Sequence, residues 1–200
     1  VFLHAIKDYY DMPRYCELYE ARVTFNLVPS LMDQIKDYAD HNVDDDLLRT
    51  MRKNARDLAL EEIEELVPKL FMAQVESMIG PYANYRRLYN RYVKNKDPLQ
   101  FSAQEVLDLC VHYLLAWSGM QTRRELPLVP QLIKKGGDFT EIEKHQLLDE
   151  LHERVGRILG YYKKLQDEGK IEISVTPFCH PILPLLIDLN SAKEALPEVV

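Results

Sequence analysis

The residues best placed to do chemistry in this 200-residue chain gather in one stretch, Gly169 to Ile187, GKIEISVTPFCHPILPLLI. His180 stands there among three prolines, Pro177, Pro181 and Pro184. Each proline fixes φ and withdraws a backbone donor, so Thr176 to Pro184 is expected to be a stiff, irregular turn presenting a titratable ring. Such a ring can exchange hydrogen bonds with a ligand, or it can serve only to brace its own turn. A second group is His4, Lys7, Asp8 and Asp11, at i, i+3, i+4 and i+7, which a helix would bring onto one face. The plain reading of that face is a solvated surface with Lys7 and Asp11 as an ordinary ion pair. His145 and His152, seven apart, would also share a face, but no acidic ligand set converges on them and no zinc site is implied. Cys16, Cys110 and Cys179 are odd in number and contain no CxxC, which predicts reduced, partly buried thiols rather than a disulfide framework.

Two strand-like runs must carry these residues. Ile171 to Val175 alternates apolar and polar with β-branched side chains, between Gly169 and Pro177, and reads as a short strand. Arg22 to Val28 reads as the other, followed by Pro29 and a helix over Leu31 to Tyr38 with Ser30 as its cap. Asn26 then stands near the C-terminal end of a strand that feeds a helix, and His180 follows the C-terminal end of the second strand. In a parallel α/β sheet that is the edge that faces ligands. Ahead of both, Leu3, Ile6 and Tyr10 predict a helix of about three turns that stops before Pro13, then a short further turn.

Between the strands, from His41 to Glu168, every signal is helical. Asp44, Asp45 and Asp46 place acid at a helix start, where it complements the macrodipole. Leu47, Met51, Ala55, Leu58 and Leu66 continue a helical period, with Glu62 its one acidic member, up to a break at Pro68 that opens a second helix. Gly80-Pro81 opens a third, with Tyr82, Tyr85, Tyr89 and Tyr92 spaced three to four apart. That stripe fits a ligand-stacking platform, but a packing face accounts for it more simply. Ser102 to Glu105 and Thr140 to Glu143 are capping boxes, opening helices that run to Trp117 and to about Glu168. Trp117 is expected to pack between helices. Pro127, Pro130 and Gly136-Gly137 mark a loop-rich joint between the two.

Composition narrows the function classes. At 46% hydrophobic and 28% charged the chain is an ordinary globular one, and a net charge of -7 without a dense basic run argues against nucleic acid or an anionic membrane as partner. No apolar run reaches the roughly 18 residues that span a bilayer. No charged segment precedes a hydrophobic one at the start, so the expected location is the cytoplasm, although Val1 in place of Met reads as an excised piece. Two strands cannot form a stable sheet for so long a chain. Either the helical block is the whole fold, or further strands lie outside these residues.

LHAIKDYYDM (Leu3 to Met12), VTFNLVPSLMDQI (Val23 to Ile35), LLAWSG (Leu114 to Gly119), LIKKGGDFTEIEKHQLL (Leu132 to Leu148) and GKIEISVTPFCHPILPLLID (Gly169 to Asp188) occur in this order. Together they resemble glycoside hydrolase family 57, in its α-amylase and amylopullulanase-like branch. The resemblance implies an α/β fold, an incomplete (β/α)7 barrel of which Val23 to Leu27 is the second strand and Ile171 to Val175 the third. Residues 1–40 and 169–200 would be barrel segments and 41–168 a large α-helical insertion, so that the piece itself is mostly helical. The implied parent is a retaining enzyme that hydrolyses or transfers α-1,4 and also α-1,6 glucosidic bonds of starch- or glycogen-type α-glucans, without a cofactor or metal. Its nucleophile, a glutamate, and its acid/base, an aspartate, are expected beyond Val200, and a His-Gln-Pro motif before Val1. The isolated piece would then be inactive.

Within these residues the resemblance turns His180 toward the bound sugar. Asn26, His4 and Asp8 are the further substrate-binding candidates that would shape the cleft. Cys179 stands where an aromatic residue is more usual, and Phe178 could supply an apolar wall in its place. Two other readings stand beside this one. One is a non-catalytic, acidic α-helical protein-interaction module. The other is a deacetylase on a similar partial barrel, which would need a metal-ligand set for which the HxxxH spacing is absent.

Overall fold

Strand β1 (Thr24–Leu27) and strand β2 (Glu172–Val175) pair in parallel, with Thr24 opposite Glu172 and Leu27 opposite Val175, in a computed structural model that describes residues 1–43 and 45–198. Parallel neighbours need a long crossover, and here the whole helical block supplies it. Among the described residues the architecture is therefore mostly helical with one two-stranded parallel sheet. The β-branched run of β2 suggests cover on both sides. Instead Ile171 is buried just before the strand and Ile173 packs on the core, while Val175 is 64% exposed.

The N-terminal helix does not stop at Pro13. It runs as α1 (Phe2–His4), a π turn (Ala5–Tyr9) and α2 (Tyr10–Tyr19), with Pro13 buried inside α2. The π turn has already interrupted the i to i−4 ladder, so the donor that Pro13 lacks is missing in the first turn after that interruption, where it costs least. Glu20 closes α2 in a left-handed conformation, its N–H donating to Cys16 O. Helix α3 (Pro29–Ala39) begins at Pro29 with Val28 as its cap residue, so Ser30 lies inside the helix rather than capping it.

The helical period from Leu47 to Leu66 is not one helix. Asp45 caps Leu48 N at 3.1 Å and opens α4 (Asp46–Arg52), a 3-10 turn follows at Ala55–Asp57, and α5 (Leu60–Lys69) resumes. Asp44, the first of the acidic run, lies outside the described residues. The interruption has a tertiary cause: Lys144 Nζ donates to Lys53 O at 2.5 Å, and Glu141 Oε1 accepts from Ala55 N at 2.7 Å. Pro68 sits in the last turn of α5, and a π turn (Val75–Ile79), not a second helix, comes after it.

Helix α6 (Ala83–Asn95) carries the tyrosine stripe, and it is a packing face. Tyr85 is fully buried and stacks on Phe71, Tyr92 also stacks on Phe71, and Tyr82 Oη donates to Leu115 O. Helix α7 (Ala103–Trp117) opens with the Ser102 capping box and forms the centre of the core. Each fully buried leucine in it, such as Leu109 and Leu114, contributes about 1.5–3 kcal/mol. The joint that follows is ordered as α8 (Met120–Glu125) and α9 (Leu128–Lys135), with Pro130 in the first turn of α9, where a missing donor is harmless. Helix α10 (Glu141–Asp167) opens with the Thr140 capping box, packs along α3, and brings Tyr162 edge-on to Phe25 of β1.

After β2 the stiff turn is shorter than its prolines suggest, because Pro184 falls in the first turn of α11 (Leu183–Ile187). A 3-10 turn and α12 (Ala192–Ala195) follow. Phe178, Ile182, Leu186, Ile187 and Leu189 are all exposed along this segment. Cys16 and Cys110 are buried and free, but Cys179 is exposed rather than partly buried.

Candidate functional site

The His180 turn is braced by backbone, not by its ring. His180 N–H donates to Pro177 O at 2.8 Å, and the residue holds φ +52°, a left-handed conformation that costs roughly 1–2 kcal/mol for a residue with a Cβ. Its ring is exposed and makes no hydrogen bond among the described residues. The turn is tied to the first helix after β1: Ser30 N–H donates to Phe178 O at 3.1 Å. That amide is one of the donors that a helix start leaves without an intrahelical partner. Asn26 pairs in register with Ser174 and is exposed, on the face opposite to the half-buried Phe25 and Leu27. Asn26 and the His180 turn therefore share the C-terminal end of the strand pair.

His4 and Asp8 form a separate pair. His4 Nδ1 lies 2.7 Å from Asp8 Oδ2, which leaves Nε2 free, and the ring meets Trp117 edge-on at 5.2 Å. Lys7 pairs with Asp8 at 3.9 Å rather than with Asp11, and its Nζ lies 5.4 Å over the Trp117 ring. The π turn accounts for this change, since it alters the angular spacing between Lys7 and Asp11. Asp11 is instead buried, and its carboxylate accepts from Met120 N at 2.6 Å and Gln121 N at 3.1 Å. Burial raises the Asp11 carboxyl above its ordinary range, against the lowering pull of those N–H groups. Trp117 packs as expected, between Tyr113 and the first helical turns. Among the described residues no hydrogen bond, ion pair or ring contact joins His4 or Asp8 to Asn26 or His180.

Two polar clusters escape sequence reasoning because their members are far apart in the chain. In the first, Glu125 accepts from Arg14 Nε at 2.9 Å, from Arg154 Nη1 at 2.7 Å and from Tyr10 Oη, while Arg14 also bonds Glu17. Burial alone would raise the Glu125 carboxyl; the hydrogen bonds from Tyr10, Arg154 and Arg14 outweigh it and hold the group below the ordinary carboxylate range. Glu17, bonded first by Tyr161 at 2.7 Å, is lowered to about 2. Carboxylates held ionised and saturated with donors are locks between α2, α8 and α10, not proton donors. Arg154, 6% exposed between Leu151 and Ile158 on the buried face of α10, is the one local hint of them. In the second cluster His112 is buried beside Asn84, and burial pushes its ring down to about 4.

Asp108 accepts from Asn84 Nδ2, Gln104 Nε2, Asp138 N and Phe139 N, which fixes the Gly136-Gly137 loop. An open groove along α10, lined by Glu141, His145, Asp149 and Glu150, includes none of the candidate residues. Among the described residues no group of three or more His, Cys, Asp or Glu is placed to hold a metal ion, and no helix is long and apolar enough to cross a membrane.

A family model described as Glycosyl hydrolase family 57 matches residues 1–199. No curated protein and no solved structure matches the chain.

Proposed function

Because the chain belongs to glycoside hydrolase family 57, whose activity is glycoside hydrolysis generally on α-glucans, we propose that it forms one wall of the glucan cleft of a retaining, α-amylase or amylopullulanase-like enzyme. In this reading β1 and β2 are the second and third strands of a (β/α)7 barrel, and residues 41–168 are a helical insertion beside the cleft. The reacting glutamate and aspartate come from strands outside the chain. Retention requires them about 5–5.5 Å apart, one attacking the anomeric carbon and the other protonating the leaving oxygen.

The observation that carries the reading is the Ser30 to Phe178 hydrogen bond, which holds an unpartnered His180 ring at the C-terminal end of a parallel strand pair. A neutral imidazole both donates and accepts, which suits a sugar hydroxyl that does the same. The proline-rich turn is already ordered, so binding sugar there costs little further conformational entropy. Asn26 offers an amide at the same edge. His4, with Nδ1 held by Asp8, offers Nε2 in a fixed orientation. The exposed Phe178, Ile182 and Leu186 are the apolar surface that neighbouring barrel strands and helices would cover. An acidic helical interaction module would give neither the left-handed His180 turn nor its tie to α3 a purpose.

The test is hydrolysis of maltooligosaccharides by the enzyme containing this chain, with the first-formed anomer followed by NMR. The α-anomer should appear first. The β-anomer first would exclude retention, and no cleavage of any α-glucan would overturn the enzymatic reading.

A further inference from the structure

Helix α3 is held at both ends. Its first turn carries Ser30, which anchors the His180 turn, and just past its last turn His41 adopts φ +57°. The His41 ring lies face to face on His152 of α10, with centroids 4.0 Å apart and planes 2° from parallel. His152 is half-buried against Phe2, ring centroids 5.9 Å apart, and its Nε2 is enclosed without a hydrogen-bond partner.

Among the described residues, the charged and titratable groups around the stack come from three elements. Arg49 and Arg52 face it from α4, Asp45 from the α4 cap, Tyr38 from α3 and Asp149 from α10 itself. The acids are already engaged: Arg52 Nη1 donates to Asp149 at 2.7 Å, and Tyr38 Oη donates to Asp45 at 2.5 Å. Among the described residues no carboxylate hydrogen-bonds either imidazole, so two protons on the stack would meet mutual repulsion with Arg52 adding to it.

We propose that His41 and His152 form a proton-operated clasp, closed with at most one proton on the pair and opened by a second. Opening frees the connection between α3 and α4 from α10, at the far end of the helix that anchors the His180 turn. The link to sugar binding rests on the reading of His180 given above; the clasp itself does not.

Burial, followed by the neighbouring His41, holds the His152 ring below the ordinary histidine range. The unfolded or opened chain therefore binds a proton that the closed clasp refuses. The clasp's full strength is present above about pH 6.5 and is lost as the pH falls below that value.

The experiment is hydrogen exchange of the intact protein at about pH 7.5 and about pH 5, corrected for intrinsic exchange, on peptides covering residues 39–45 and 176–184. Protection of 39–45 should fall in acid by on the order of tenfold per pH unit below the midpoint. His41→Phe and His152→Phe keep a stacked ring without a charge, and either should abolish that dependence. Equal protection at the two pH values, or an unchanged dependence in both Phe variants, would overturn the clasp. Loss of protection at 39–45 with 176–184 unaffected would overturn its coupling through α3.

Discussion

The carboxylate of Asp11 occupies the space that a side chain on Gly119 would need. A Cβ built on Gly119 would stand 2.6 Å from Asp11 Oδ1, and the same carboxylate accepts from the two amides that follow, Met120 N and Gln121 N. The φ of Gly119 is −64°, so its value here is lack of bulk and not backbone freedom. The absence of a Cβ lets an acid from the N-terminal helix cap α8 from inside the core.

Gly119→Ala should therefore cost about 2–3 kcal/mol, because it displaces a buried acceptor from two donors. Asp11→Ala should cost about 1–2 kcal/mol as a lost cap. With Asp11 gone the added methyl has nothing to strike, so the double variant should be no less stable than Asp11→Ala alone. Urea unfolding of the four proteins measures this, and additive costs would show that the two residues do not share the space.

Glu17 gives a pH prediction of definite sign. Its carboxyl is lowered to about 2, first by the Tyr161 hydroxyl and then by Lys170 and Arg14. A lowered folded-state pKa contributes stability above the unfolded value, near 4.5, and loses it as the pH falls from there toward about 2. Solvent screening reduces the effect to about 1 kcal/mol. Glu17→Gln should flatten the stability profile across that window in urea melts at stepped pH; a profile parallel to that of wild type would dismiss the network as a determinant of acid stability.

His180 should separate function from stability. Its ring is exposed and makes no hydrogen bond among the described residues, so His180→Ala should leave Tm within a degree or so while kcat/KM on maltooligosaccharides falls about 10- to 100-fold. His180→Gly should lose the same activity yet gain about 1 kcal/mol of stability by relieving the left-handed backbone. Activity equal to wild type in both would reduce His180 to a turn residue.

What the amino-acid order reveals here is what is encoded locally. The strand at Ile171 to Val175 and the Ser102 and Thr140 capping boxes each act within a few residues and reappear in the structure, and of the prolines around His180, Pro177 and Pro181 stay in the turn while Pro184 opens α11. The misreadings share another origin. Pro13 stays helical because of a π turn that no residue announces, and the chain leaves helix at Lys53 because Lys144 and Glu141, on α10, take its backbone groups. Asp11 turns to Met120 and Gln121 instead of Lys7, and His41 finds His152, through packing that local spacing does not record. For the candidate site, position was legible and contact was not: Asn26 and His180 reach one edge, whereas His4 and Asp8 pair beside Trp117.

The tie between Ser30 and Phe178 is testable apart from His180. Proline is accepted in the first turn of a helix, so Ser30→Pro removes the N–H that Phe178 O receives while leaving α3 able to form. Ser30→Ala keeps that N–H and deletes only the hydroxyl. If the hydrogen bond is what sets the His180 turn, Ser30→Pro should speed exchange across residues 176–184 and raise KM, and Ser30→Ala should do neither. Circular dichroism checks that α3 survives in both variants. Equal behaviour of the two would mean that the prolines hold the turn unaided, and that the strand pair, not α3, positions His180.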